Sequence, residues 1–317
     1  MTRFDAGPLP SLEQQHRDPQ RYPDGVAWLD GQYVPISQAK VSVLDWGFLH
    51  SDATYDTVHV WNGAFFRLDD HIARFRAGLE RLRLQLPCDD TQLRTILHNC
   101  VALSGHREAY VEMLCTRGTS ASFSRDPRDA QNRLMAFAIP LGSVANEEQM
   151  QRGLHLALSD IARIPPQSLD PAIKNYHWLD LVRGLYEAYD QGAENVLLRH
   201  INGTVAEGPG FNVFALVEGT VLTPDTGVLP GITRRTVLEI CAEEAIPARA
   251  QPLSVAALKA ADEVFITSTA GGVMPVSRLD GIPVGAGKPG PLTAAVTKRY
   301  WAWHADERFA EPVEYGR

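Results

Sequence analysis

Apolar residues recur along this chain at two spacings. From Val26 onward, short runs at 27–29 and 32–35 flank Asp30-Gly31, and runs at 57–61 and 64–68 flank Asn62-Gly63. Such pairs predict β-hairpins, because Asp-Gly and Asn-Gly tolerate the positive φ that a tight turn between strands demands. The spacing then changes. Ile72, Phe75, Leu79 and Leu82 recur with helical period behind Asp69, which is placed to cap the helix, and a second helix is expected over 90–103. Strands expected over 109–116 and 133–139 complete a first α+β lobe.

The polar stretch 142–151 marks the boundary to a second lobe. There the pattern predicts a strand over 154–161, a helix over 178–191 and hairpins turning at Asn202-Gly203 and Glu218-Gly219. A helix opening at Thr233, a strand over 263–268 and a terminal helix over 292–309 follow. Strands outnumber helices, and neither an internal repeat nor a βαβ series is evident. The expected layout is an arm over 1–25, a small α+β domain over 26–141, a linker over 142–151 and a larger domain over 152–317. The arm lacks both periodicities, which suits a segment that packs on a partner subunit. With 317 residues the chain suits two lobes, so a cleft between them is the default place for chemistry.

Composition narrows the function. Hydrophobic residues at 44% and charged residues at 21% are ordinary for a globular protein and exclude fibrous or disordered classes. The formal net charge of −8, with no Lys/Arg block, disfavours nucleic acid and anionic membrane and leaves a small molecule as the expected partner. Cys88, Cys100, Cys115 and Cys241 show neither CxxC spacing nor a nearby histidine pair, so they are expected as reduced thiols with no metal. The polar N-terminal stretch has no signal-peptide character and no 18-residue apolar run occurs, so the expected compartment is the cytoplasm.

Two motifs are discarded. Gly281 to Lys288 resembles a phosphate loop, but its glycine spacing is one residue too long and Pro289 replaces the metal-binding hydroxyl. No G-x-S-x-G elbow is present, which removes that class of serine hydrolase. What remains is a constellation. Lys174 follows a proline-stiffened loop and precedes a helix, a place where a lysine alone would read as a solvated charge. Glu207-Gly-Pro-Gly-Phe-Asn212 puts a carboxylate on a glycine-rich turn, Gly231-Ile-Thr-Arg234 opens a helix whose free N–H groups can take a phosphate, and 267–275 reads as a second hydroxyl-rich turn. A lysine, a carboxylate and two phosphate-grade turns are the parts of a pyridoxal 5′-phosphate (PLP) site.

That ordered set, Lys174-Asn175, 207–212, 231–234 and 269–272, resembles the fold-type-IV PLP-dependent aminotransferases, a class with branched-chain and D-amino-acid aminotransferases and aminodeoxychorismate lyases. Similarity extends over nearly all of 26–310. Within the class, His50-Ser-Asp-Ala-Thr-Tyr55-Asp, Phe65-Phe-Arg-Leu-Asp-Asp-His71, Tyr110-Val-Glu112 and Ile173-Lys-Asn-Tyr-His-Trp178 look most like the (R)-selective amine:pyruvate transaminases. Tyr110-Val-Glu112 stands where branched-chain enzymes carry a tyrosine and an arginine for the substrate carboxylate.

The resemblance implies a two-lobed α+β fold with the cofactor between a smaller N-terminal and a larger C-terminal domain, and a homodimer. It implies a ping-pong transamination from an (R)-amine or D-amino acid to a keto acid such as pyruvate. Lys174 would carry the cofactor as a Schiff base and move the proton. Glu207, otherwise a turn cap, would hold the pyridine nitrogen protonated. Arg74 would grip the phosphate; its plain alternative is an ion pair with Asp70 at i−4. Ile232 and Thr233 would give backbone N–H groups and Thr269 a hydroxyl to the same phosphate, with Phe211 and Leu229 on the ring faces. His50, Tyr55, Thr57, Tyr110, Trp178 and Ala270 would line the substrate pockets. Arg125, on a Ser-rich loop, is the expected movable partner of the keto-acid carboxylate, favoured over Arg128. D-amino-acid and branched-chain aminotransferases are the alternatives, with the lyase and a non-catalytic PLP-binding protein behind them.

Overall fold

The computed structural model describes residues 22–315, so the arm expected over 1–25 lies outside the described residues except for 22–25. Two units make up the chain. Among the described residues, one holds 22–142 with Ile173–Tyr176 and 306–315; the other holds Ser143–Ala172 and His177–Ala305.

The first unit opens with the hairpin β1 (Val26–Leu29) and β2 (Gln32–Pro35), then the short helix α1 (Trp46–His50) and the hairpin β3 (Ala53–Trp61) and β4 (Ala64–Phe66). Helices α2 (Leu68–Leu82) and α3 (Asp90–Ser104) lead into strands β5 (Ala109–Ser120) and β6 (Ala130–Pro140). With a last strand at Ala310–Pro312 these form a seven-stranded sheet in the order Ala310–Pro312, β4, β3, β5, β6, β1, β2, with antiparallel neighbours throughout. Ile72, Phe75 and Leu79 of α2 and Leu93, Ile96, Leu97 and Cys100 of α3 join Val58, Val60, Val111 and Met113 in one core. Because side chains alternate across a strand, Tyr55, Thr57 and His59 turn to the opposite face. There Thr57 pairs with Glu112 and His59 with Tyr110.

Three expectations change here. The strand expected over 57–61 begins at Ala53, because its polar residues are satisfied internally: Asp56, fully buried, accepts from Arg74 and pairs with His71. Asp69 does not cap α2. The cap residue is Arg67 in the left-handed region, and Asp69 lies in the first turn. Asp70 pairs with Arg67, and Arg74, for which an ion pair with Asp70 was the plain alternative, pairs with Asp56.

The second unit contains β7 (Leu154–Ala162), β8 (Asn195–Arg199), β9 (Asn212–Val217), β10 (Thr220–Thr223), β11 (Ala248–Ala250), β12 (Glu263–Ser268), β13 (Gly272–Leu279) and β14 (Ile282–Pro283). Its helices are α4 (Glu147–Arg152), which falls in the stretch expected as linker, α5 (Leu179–Asp190), α6 (Ile232–Glu243), α7 (Val255–Lys259) and α8 (Pro291–Ala302). The sheet runs β11, β10, β9, β12, β13, β7, β8, and β7/β8, β7/β13 and β10/β11 are parallel. Two strand–helix–strand crossovers therefore exist, through α5 and α6, where none was expected. The long loop between β7 and α5 and the three-residue β11 hide them from a periodicity search. Strand β13 was hidden too, inside a segment expected as a turn; Pro275 precedes the first residue paired with β7, Val276, a position that tolerates a missing N–H. The terminal helix expected over 292–309 stops at Ala302, where a 3₁₀ turn, Trp303–Ala305, takes over.

That turn carries a pH-sensitive residue. Burial holds the His304 imidazole down at about 4, below its usual 6.5, and its Nδ1 lies 2.9 Å from the carbonyl of Tyr300. A depressed folded-state value means stability that is complete above pH 6.5 and is lost as pH falls toward 4, on the order of 3 kcal/mol by linkage. Thermal midpoints should fall over that window in the wild type and fall less in His304→Gln; parallel curves would contradict this.

Among the described residues no helix is long and apolar enough to cross a membrane and no cluster of three potential metal ligands occurs. Cys100, Cys115 and Cys241 are buried and Cys88 is half-buried, all as free thiols.

Candidate active site

In the first unit the residues around Lys174 are held by the start of β3. The Thr54 hydroxyl and the Tyr55 N–H donate to the Lys174 carbonyl at 2.8 and 3.1 Å, fixing the backbone independently of the side chain. The amino group lies 4.4 Å from the centre of the Tyr55 ring, and that ring stacks on Tyr176 at 4.3 Å. Tyr176 in turn donates its hydroxyl to Glu112 Oε1 at 2.8 Å, while Tyr110 donates to Glu112 Oε2 at 2.9 Å. Thr57 Oγ1 sits 3.2 Å from the Tyr110 hydroxyl. Burial pushes the Glu112 carboxyl above its usual range, and the Tyr176 and Tyr110 hydroxyls and the Lys174 charge pull it back. Across β3, Asp56 accepts from Arg74 Nε at 2.7 Å and Nη2 at 2.9 Å. Burial opposes ionisation of Asp56, but the Arg74 charge and the His71 contact override it and hold the carboxyl far below the carboxylate range. An arginine clamped through two nitrogens has a fixed plane.

In the second unit Glu207 is buried on the turn before β9. Its Oε1 accepts from Arg163 Nε at 3.1 Å and its Oε2 from the Leu229 N–H at 2.9 Å. Asn212 donates to the Leu229 carbonyl at 2.9 Å, so Leu229 is bound to this turn from both sides of its peptide. Two glycines allow the close approach: a Cβ on Gly208 would lie 2.1 Å from the Phe211 ring, and one on Gly231 would lie 2.2 Å from Asn212 Oδ1. Gly231 caps α6 without a side chain, and Ile232 and Thr233 behind it are buried. Ser268 donates to the Gly210 carbonyl at 2.8 Å, and Thr267 Oγ1, also buried, has no hydrogen-bond partner among the described residues. Thr269 and Ala270 are half-buried on the turn that follows.

The expected residues thus gather in two groups. Lys174, Tyr55, Thr57 and Tyr110 meet in the first unit, which also carries Arg74; Glu207, Phe211, Leu229, Ile232, Thr233, Thr269, Ala270 and Trp178 belong to the second. His50 is exposed at the end of α1 with its ring against Trp46 at 5.0 Å. Arg125 is exposed, and no hydrogen bond or ion pair to it occurs among the described residues, whereas Arg128 is bound to Asp126. Sequence reasoning gave no role to Tyr176, Asp56 or Arg163, whose side chains bond to Glu112, Arg74 and Glu207. Tyr176 was two places from Lys174 and Arg163 opened the same loop; Asp56 closed the run from His50 that carries the resemblance, but nothing in that run points to Arg74.

The family model for amino-transferase class IV matches residues 53–279. A putative branched-chain-amino-acid aminotransferase of Methanocaldococcus jannaschii is 29% identical over 276 residues, spanning 86% of this chain and 94% of the relative. A D-alanine aminotransferase of Bacillus licheniformis is 30% identical over 270 residues, 84% of this chain and 93% of that one. Among solved structures, a T.th. branched-chain amino acid aminotransferase with pyridoxamine 5′-phosphate matches with a TM-score of 0.86 and 28% identity, over 92% of this chain and 100% of that one.

Proposed function

We propose, from the premise that this chain belongs to the amino-transferase class IV family and is a PLP-dependent aminotransferase of fold type IV, that it moves the amino group of an (R)-amine to a keto acid such as pyruvate. The observation that carries the amine side is Glu112. Buried in a cluster of hydroxyls from Tyr110, Tyr176 and Thr57, it supplies a carboxyl group, ionised or neutral. In neither state does Glu112 itself offer the cation that a substrate α-carboxylate needs, so a carboxylate-bearing substrate depends on a cation from elsewhere, the Arg125 assigned below. An apolar amine has no such conflict. A branched-chain or D-amino-acid donor is the second reading, favoured by the names of the relatives. A panel of (R)-amines, D-amino acids and branched-chain L-amino acids, each followed by pyruvate consumption, decides between them; turnover confined to the L-amino acids removes the (R)-amine reading.

The residues fit the cofactor. Gly231 leaves the α6 terminus open, Thr267 leaves a buried hydroxyl unpartnered, and Glu207 presents a buried carboxylate on a turn that excludes a Cβ. When bound, PLP supplies an electron sink conjugated with the substrate carbon. Lys174, its backbone fixed by Thr54 and Tyr55, anchors the cofactor and moves the proton at the substrate carbon. Glu207 holds a proton on the pyridine nitrogen. Arg74, oriented by Asp56, and the N–H groups of Ile232 and Thr233 with the Thr269 hydroxyl take the phosphate. Phe211 and Leu229 flank the ring, while His50, Tyr55, Thr57, Tyr110, Trp178 and Ala270 shape the substrate pockets.

Arg125 receives the keto-acid carboxylate in this reading. Ser120 Oγ bonds to the Ser122 hydroxyl and accepts the Ser124 N–H, and Phe123 takes a positive φ of 54° at the tip, while the Arg125 side chain has no competing ion pair among the described residues. Losing a charge-assisted contact costs about 1.5 to 3 kcal/mol, so Arg125→Ala should raise the pyruvate KM by about 10- to 150-fold and spare the amine half-reaction. Equal losses in both half-reactions would give Arg125 a structural role.

A homodimer belongs to the same proposal. Leu179, Val182, Tyr186 and Tyr189 form an exposed stripe on α5, and Val43, Leu44 and Phe48 are exposed around α1. A sedimentation mass of one chain would remove it.

A further inference from the structure

Behind Glu207 stands a second ion pair that the chemistry proposed above does not itself require. Arg163 follows β7 directly, and its backbone N–H donates to the Arg199 carbonyl at 2.9 Å. Its Nε donates to Glu207 at 3.1 Å and its Nη1 to Asp180 at 2.7 Å, with all three side chains about nine-tenths buried. Asp180, in the first turn of α5, also accepts the Ile164 and Leu181 N–H groups at 2.9 Å each, so the far end of the relay is fixed to backbone.

We infer that Arg163, held by Asp180, is a positioning residue that keeps Glu207 ionised and oriented, and so sets the proton on the pyridine nitrogen. The inference rests on the PLP reading of Glu207. A buried carboxylate left alone would take up a proton, and a neutral Glu207 could not hold a positive charge on the ring. One guanidinium supplies the opposing charge. If it were the sole partner, however, the pair would present no net charge to the ring. Asp180 corrects this: one cation between two anions leaves one net negative charge. The planar guanidinium holds Glu207 through Nε and Asp180 through Nη1 in one fixed geometry, which the single nitrogen of a lysine could not reproduce. Burial opposes the charge on Arg163, but the Glu207 and Asp180 carboxylates overcome it and hold the guanidinium firmly protonated.

The second unit also opens a pocket of about 470 Å³ onto Arg163, lined by His200, Thr204, Asp225 and Pro252 among others. That opening makes chemical rescue feasible. The experiment uses the holoenzyme loaded with PLP that is ¹⁵N-labelled at the ring nitrogen. In Arg163→Ala the nitrogen signal should move from the protonated toward the unprotonated position, and the acid limb of the kcat profile should rise by about 1 to 2 pH units. Methylguanidinium should return both toward wild type. An unchanged nitrogen signal and acid limb in Arg163→Ala would overturn the role, as would a shift that methylguanidinium leaves unaltered. Should Arg163→Ala fail to fold, Arg163→Lys decides: a retained cation keeps the nitrogen protonated, and a fully shifted signal there refutes the electrostatic account. A wild-type protein that takes up no PLP would instead defeat the functional reading itself, so the two failures are distinguishable.

Discussion

Lys174→Ala should leave a folded protein with no measurable transamination. Proton transfer by a positioned side chain contributes about 10²- to 10⁴-fold by itself, and the substitution removes the covalent anchor at the same time, so a fall in kcat of at least about 10⁴-fold is expected. The fold should survive. The contacts that fix residue 174, from the Thr54 hydroxyl and the Tyr55 N–H, go to its carbonyl oxygen, which alanine keeps. What alanine loses is the amino group over the Tyr55 ring, a contact worth about 1 to 2 kcal/mol at a partly buried site. The purified wild type should be yellow through its lysine-bound cofactor, and the variant should lose that colour. Turnover in Lys174→Ala near the wild-type rate would remove the central assignment.

Glu207→Gln should fail in the chemical step and keep its cofactor. Glutamine has the shape of glutamate and can still accept the Leu229 N–H, which the carboxylate accepts at 2.9 Å, so the turn has no steric reason to move, while Arg163 Nε loses its acceptor because the amide turns N–H groups toward it. The charge is what disappears. A neutral side chain no longer favours a proton on the pyridine nitrogen, and the electron sink weakens just where negative charge develops. Losing one preorganised electrostatic contact costs about 100-fold or more in kcat. Arg163 stays buried with Asp180 as its remaining anion, so the variant also tests how far that pair supports the fold. The informative measurement is deuterium exchange at the substrate carbon. An unchanged exchange rate in Glu207→Gln would mean that the carboxylate is a turn cap and nothing more.

These two residues illustrate how much chemistry a linear reading reaches. Lys174 and Glu207 were singled out because each sits in a run of distinctive neighbours: a proline-stiffened loop before a helix, and a Gly-Pro-Gly turn. The α+β class and the aminotransferase family followed from the order of those runs, and the family match over 53–279 agrees. Elements with local signals were also legible. Asp30-Gly31, Asn62-Gly63 and Glu218-Gly219 each turn a hairpin with both residues at positive φ, and the capping box of Asp89 and Gln92 starts α3 where periodicity placed it. Turn dihedrals and helix periods are set by residues a few places apart, and for that reason they can be read in order.

Tertiary structure alone decided the partners. Arg74 has an acidic neighbour at i−4, Asp70, yet it binds Asp56 across 18 positions, because β3 lies under α2 and Asp70 is taken by Arg67. Tyr176 reaches Glu112 across 64 positions, and Arg163 reaches Glu207 across 44. Each contact follows from strand register and from where a loop returns, neither of which leaves a periodic trace. The parallel crossovers through α5 and α6 and the strand hidden at Gly272–Leu279 were unreadable for the same reason. The sequence by itself determined which chemical groups this protein has and which local elements carry them. Folding decided which groups meet in a buried setting, and burial is what makes a carboxylate beside an arginine or a hydroxyl differ from the same residue in water.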